Sequence, residues 1–248
     1  MSQNCYDNLP KELRSEVKNR HIILHVRIKP LMQNFSANYH LASMQLIKLF
    51  EDLQPKSIII PSFTYSFTKS LVFNLQQSPS ETGRFSEEVR LALNNERRTK
   101  DPIFSILDYL DFGFHHQSWN SNAFGKESIW HFLSQENALI INIGLEQIIS
   151  THIHFIEQQF SVPYRENIQI QGETVDSHNT QKINYQYFAR NLELDPKWDR
   201  TRLLSELKMH KILREEDWNS TNIRWFSTKE LSDYLNDKIA NKPDFLLR

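Results

Sequence analysis

The sequence predicts an α/β protein with a mixed central sheet flanked by helices and an α+β part at the C-terminal end, on three observations. Short β-branched apolar runs occur at HIILHVRI (21–28), SIIIPSFT (57–64) and ALIINIG (138–144), and such runs read as strands buried on both faces. Helical repeats lie between them, so strand and helix alternate, which argues for largely parallel pairing among those strands. After about residue 166 the texture changes to strand-like segments interleaved with amphipathic helices. No Pro/Gly/Ser-rich linker divides the 248 residues, so a single domain over 1–248 is expected, with an α/β core over 1–165 and the α+β part over 166–248.

Taken in order, the first run predicts a strand. In NYHLASMQLIKLFEDL (38–53), Leu41, Met44, Ile47 and Leu53 recur at helical spacing beside Leu46, Leu49 and Phe50. The second run predicts another strand, and SEEVRLAL (86–93) a helix with Ser86 as its cap and an acidic first turn. SIWHFL (128–133) begins a helix after Gly125, and the third run is a strand. Beyond it, NIQIQG (167–172), INYQYFAR (183–190) and NIRWFS (222–227) alternate as strands do. DRTRLLSELKMHKIL (199–213) is amphipathic, and STKELSDYLNDKI (227–239) is a capped helix. Glycine is scarce, five residues where about seventeen would be average, so each is expected where the backbone requires it.

Composition removes several function classes. A net charge of -1 leaves no electrostatic footprint for nucleic acid or an anionic membrane. The longest apolar runs fall far short of the roughly 20 residues of a spanning helix, and the charged N-terminal segment is unlike a signal peptide, so a cytosolic protein is expected. The single cysteine, Cys5, rules out an internal disulfide or a cysteine metal cluster.

The chemistry concentrates in STHIHFIEQQFSVPYR (150–165). On a strand, His152 and His154 would share a face without Glu157; on a helix, His154 and Glu157 would share one without His152. Without a bend the span therefore does not present three metal ligands together, and distant ligands such as His115, His116 or His131 would have to complete a site, with nothing in the sequence placing them there. The helical pair at i, i+3 is either a carboxylate fixing an imidazole tautomer, as a general base needs, or an ordinary His/Glu contact.

Four ordered stretches now bear on that choice: SIIIPSFTYSF, SPSETGRFSEEVR (78–90), RTKDPIFSI (98–106), and AFGKESIWHFL followed by IGLEQIISTHIHFIEQQFSVPYR. In this set the chain resembles the aminoglycoside 3-N-acetyltransferase family of coenzyme A-dependent N-acyltransferases. The family pattern Thr-x-x-His-x-x-Glu, followed by a Pro-x-Arg segment, is matched by Thr151, His154, Glu157, Pro163 and Arg165. The resemblance implies the family's fold, acetyl-CoA or another acyl-CoA as co-substrate, and no metal. It makes His154 the base that takes the ammonium proton and Glu157 the residue that orients it. The attack on the thioester is direct, with Thr151, Ser105 or backbone N–H groups facing the oxyanion. Ser62 and the loop residues Ser80, Thr82 and Gly83 fall on the cofactor side. Arg98 and Thr99 either hold the active-site loop or meet a substrate anion, and Arg165 is placed with the substrate.

The chain departs from the antibiotic-modifying members in two places. Asp101-Pro102 stands where they have His-Pro, and HVRIKPL replaces a Ser-rich segment that contacts coenzyme A, leaving Arg27 and Lys29 as cations for its phosphates. Asp101 is expected either in the catalytic set, accepting a hydrogen bond from substrate or His154, or as a cap on the turn before Pro102. Asp-Pro together with QYFARNLEL (186–194) looks more like relatives associated with surface-glycan biosynthesis, which acylate a nucleotide-linked amino sugar. Arg97, Arg98, Lys100 and Arg165 also suit an anionic acceptor better than a polycation. The expectation is thus acyl transfer to an amino sugar, nucleotide-linked, with aminoglycoside acetylation or a non-catalytic binding protein as alternatives.

Overall fold

The computed structural model describes residues 8–93, 97–117 and 121–248; Cys5 lies outside them. A six-stranded sheet of order β4-β2-β1-β5-β9-β8 contains β1 (His21–Val26), β2 (Ser57–Pro61), β4 (Ile106–Asp108), β5 (Leu139–Ile143), β8 (Arg214–Trp218) and β9 (Thr221–Ser227). Parallel pairing is confined to its middle: β1 runs parallel to β2 and to β5, whereas β4, β9 and β8 are antiparallel to their neighbours. The alternation of strand and helix therefore describes only three strands. β9 pairs with β5, so the last third of the chain completes the central sheet rather than standing beside it. The β8–β9 link is the two-residue turn Asn219-Ser220, both at positive φ, as a tight hairpin requires.

The apolar runs of β1, β2 and β5 are continuous because both faces of the sheet are covered. Ile22, Leu24, Ile58, Ile60, Leu139 and Ile141 face one layer, joined by α1 (Lys11–Val17), α2 (Tyr39–Glu51) and Phe85 and Val89 of α4 (Arg84–Ala92). Their alternates Ile23, Ile59 and Ile140 face α5 (Ile129–Gln135), α6 (His152–Gln159), α7 (Arg200–Met209) and α8 (Thr228–Asn241). The capping box of α8 joins Ser227 and Glu230.

A second sheet, β3-β6-β7, places β3 (Val72–Asn74), which follows the short α3 (Phe67–Ser70), parallel to β6 (Arg165–Val175) and antiparallel β7 (Thr180–Arg190) beyond it. Gly172 permits this docking, since a Cβ there would stand 2.5 Å from the Leu71 carbonyl oxygen. The α4 helix begins at Arg84 after Gly83, at φ 125°, so Ser86 lies inside the helix and is not its cap.

Candidate active site

The loops after β1, β2 and β5 leave the sheet from the carboxyl ends of its parallel strands, with β2 and β5 on opposite sides of β1. Ligands of open α/β sheets bind at such a switch point. At the end of β5, the Asn142 side chain accepts from Ile149 N at 2.7 Å and donates to Ile149 O at 3.0 Å, which fixes the loop leading into α6. Thr151 directly precedes α6 and its side chain makes no capping bond to the helix.

One turn into α6, His154 and Glu157 meet as the helical spacing requires: His154 Nδ1 is 2.7 Å from Glu157 Oε2. Glu157 is fully buried and held from four sides. Tyr164 OH donates to Oε1 at 2.9 Å, Trp198 Nε1 donates to Oε1 at 3.1 Å, and Arg165 Nε lies 2.7 Å from Oε2. Arg165 Nη2 also approaches His154 Nδ1 at 2.9 Å. A single ring nitrogen cannot both donate to the carboxylate and accept from the guanidinium. The carboxylate is the stronger partner, so Nδ1 carries the proton and the lone pair resides on Nε2. Trp198 lies against the imidazole at 5.1 Å between ring centroids. Burial, then the Arg165 charge, hold the His154 pKa below the usual histidine value, and the Glu157 hydrogen bond and charge partly restore it. His154 is therefore neutral near pH 7.

Two cavities meet at His154, sharing Tyr65, Trp198 and Arg200. The first, about 340 Å³, runs along the sheet edge past Val26, Pro61, Thr82, Ser86 and Thr151. The second, about 640 Å³, is walled by Arg165, Arg190, Lys197, Arg200 and Arg248. Of the residues expected from sequence, Thr82, Thr151 and His154 converge on the first cavity and Arg165 reaches the second. Thr82 Oγ1 donates to Pro61 O at 2.7 Å, and Ser80 Oγ supports it at 2.8 Å. Arg27 stands at the rim next to Val26, exposed and paired with Glu146 at 2.7 Å.

Several expectations are corrected. Arg98, 1% exposed, cannot meet a substrate: it donates to Ser105 Oγ, Ser78 O, Ser62 O and Thr64 Oγ1, its charge spread over oxygens of the fold. Ser105 is equally buried and donates to Ser62 O, and Ser62 is fully enclosed, so neither hydroxyl faces a cofactor or an oxyanion. Thr99, also buried, accepts from Ile106 N. Asp101 is not beside His154: its Oδ1 accepts from Ile103 N at 3.0 Å, Phe104 N at 2.6 Å and Tyr185 OH at 2.7 Å, and it borders a separate cavity with His115 and His116. Asp101 is the turn cap. Lys29 lines neither cavity at His154. His152 points away into the body of the fold, where its Nε2 lies 2.8 Å from Ser232 Oγ. Sequence reasoning missed Trp198, Tyr164 and Arg200. Tyr164 sits inside the quoted motif, but Trp198 and Arg200 reach the site only through tertiary packing.

The site combines a neutral, carboxylate-oriented imidazole with two cavities meeting at its free nitrogen, an arrangement suited to moving an acyl group onto an amine. Residues 57–240 match the family described as aminoglycoside 3-N-acetyltransferase. Among solved structures, the chain is similar to aminoglycoside acetyltransferase AAC(3)-Xa, with a TM-score of 0.72 at 14% identity over 98% of this chain and 94% of that one. It is also similar to the YokD protein from Bacillus subtilis, with a TM-score of 0.68 at 15% identity over 97% and 93%. AAC-IIIb in its binary complex with CoASH gives a TM-score of 0.67 at 12% identity over 94% and 95%. No curated protein matches by sequence. The protein is an N-acyltransferase. It belongs to the aminoglycoside 3-N-acetyltransferase family.

Proposed function

We propose that this enzyme acylates the amine of an amino sugar bearing an anionic group, a nucleotide-linked sugar being the fitting class. The observation that carries this reading is the group of five cations around the second cavity, Arg165, Arg190, Lys197, Arg200 and Arg248, with no Asp or Glu among its described lining residues; of the five, Arg165 pairs with Glu157 and Lys197 with Asp195. A polycationic antibiotic would be repelled there, whereas a diphosphate would find charge-assisted donors. Acyl-CoA takes the first cavity, its pantetheine arm passing Thr82. His154 Nε2 removes the amine proton as nitrogen attacks the thioester carbonyl. The C–N bond forms, the C–S bond breaks, and the proton returns from His154 to the departing thiolate. Thr151, at the start of α6, faces the developing oxyanion together with the positive end of the helix. The step needs no metal.

The family match itself, and Glu81 on the first cavity, favour a cationic acceptor, although the Glu81 carboxylate already accepts from Ser66 N. The test is thiol release from acetyl-CoA with a panel of nucleotide-linked amino sugars and aminoglycosides. Turnover of a sugar nucleotide is expected. Arg190→Ala with Arg248→Ala should raise its KM about tenfold or more, as lost charged hydrogen bonds do, and leave the KM for acetyl-CoA unchanged. Turnover of aminoglycosides alone would overturn the acceptor assignment, and a KM effect confined to acetyl-CoA would assign the cations to the cofactor.

A further inference from the structure

On the edge of the central sheet, β4 ends at Asp108, which pairs with Ile59 in the middle of β2. The Asp108 carboxylate is fully buried and gathers the loop that follows it, accepting from Phe112 N at 3.0 Å, Gly113 N at 2.8 Å and Phe114 N at 2.9 Å. Gly113 at φ 105° and Asp111 at φ 61° turn the chain back so that Asp111, His115 and His116 face one another. One donor atom from each lies within 4.8 Å of the other two.

We infer that Asp111, His115 and His116 bind a divalent transition metal ion of the zinc class. Two imidazoles and a carboxylate are the donor types such an ion selects, with the fourth position left to water. The geometry around His115 is that of an oriented ligand. Its side chain is 9% exposed; Nδ1 has no hydrogen-bond partner and faces Asp108 Oδ2 at 3.4 Å, while Nε2 faces Asp111 Oδ1 at 3.6 Å. With its other nitrogen turned to the metal, His115 Nδ1 has the buried Asp108 carboxylate at 3.4 Å as the acceptor it would donate to, the usual outer support of a metal-bound histidine. Arg97 approaches Asp111 through the other oxygen, Oδ2 at 3.7 Å, leaving Oδ1 to the ion. Donors around zinc at about 2.0 to 2.2 Å stand about 3.4 Å apart, so closure requires about an ångström of movement, which the exposed side chains of Asp111 and His116 supply.

The ion would pin the loop whose Phe112 and Phe114 pack on His21 at the start of β1. It holds structure at the β4 edge of the sheet, outside both cavities at His154, and takes no part in acyl transfer. The test uses the full chain stripped with a chelator and titrated with zinc chloride, followed by calorimetry and melting temperature. One equivalent should bind and raise the melting temperature. His116→Ala and Asp111→Ala, both at exposed positions, should each weaken binding at least about tenfold and cancel the thermal gain, whereas His154→Ala should retain both. Absence of binding, unchanged affinity in both variants, or loss of binding in His154→Ala would overturn the assignment.

Discussion

His154 serves as a base because its neighbours settle where its proton sits. Glu157 holds Nδ1–H, and Tyr164, Trp198 and Arg165 hold Glu157, so rotation of either side chain breaks several hydrogen bonds at once. His154→Ala should lower kcat about 10²- to 10⁴-fold, the usual worth of a general base, with the fold intact. Since burial, and after it the Arg165 charge beside the ring, lower the His154 pKa, the acidic limb of kcat/KM should fall below the ordinary histidine value of about 6.5. Arg165→Gln removes the like charge and should move that limb upward. A limb that stays in place, or moves down, would mean that His154 is not the titrating base. The i, i+3 pair was legible in the sequence because a helix alone brings those two side chains together. Trp198 was not, since its contact with Glu157 spans the chain from α6 to the residues before α7 and has no local signature.

At the scale of elements, the segment from β2 to α4 carries Thr82 into the cleft, and Arg98 is its tie. The guanidinium joins residues 62 and 64 after β2 to Ser78 and Ser105, over the Phe73 ring at 4.8 Å. Burial pushes its pKa down to about 9, with the nearby Arg90 adding to the effect and Glu87 opposing it, so the cation persists near neutral pH. Removing it leaves several buried acceptors unpaired at about 1–3 kcal/mol each, enough to threaten the fold. Arg98→Lys should also melt well below the wild type, because an ammonium cannot span the same fork of acceptors. A lysine variant with wild-type melting and a raised KM for the acceptor would return Arg98 to the substrate side. The sequence showed RTKDP as a motif without showing its direction, since a buried arginine and a substrate arginine look alike in one dimension. The strands β1, β2 and β5 were legible because enclosure on both faces demands apolar residues throughout. That β9 pairs with β5 was not, because pairing between strands as far apart in sequence as Leu139 and Ser227 leaves no periodicity to read.

For the whole molecule, the buried titratable groups make acid the vulnerable direction. Burial depresses four histidines: His21 and His25 to about 4, His152 to about 3, and His154 to below its ordinary value, with Lys56 adding to the effect at His21 and Arg165 at His154. Between about pH 4 and 6.5 the unfolded chain binds protons that the native chain refuses, so stability is complete above about pH 6.5 and is lost as pH falls. Asp101 acts in the other sense. Burial raises it to about 6 against the hydrogen bonds from Tyr185, Phe104 and Ile103, so through the lower part of the same window, up to about pH 6, the native state holds a proton that the unfolded state has released. Four groups against one leave a net loss on acidification. The melting temperature should therefore fall from pH 6.5 to 4.5, before the bulk of the carboxylates titrate. His152→Asn, which keeps a partner for Ser232, should make that fall shallower. Asp101→Asn keeps an oxygen to accept the same three hydrogen bonds and removes a buried charge at neutral pH. It should melt at or above the wild-type temperature at pH 7.5, lose stability more steeply in acid, and leave kcat/KM nearly unchanged. An acid limb indifferent to both substitutions would show that these groups do not control it, and a large drop in kcat/KM for Asp101→Asn would place that carboxylate back in the catalytic set.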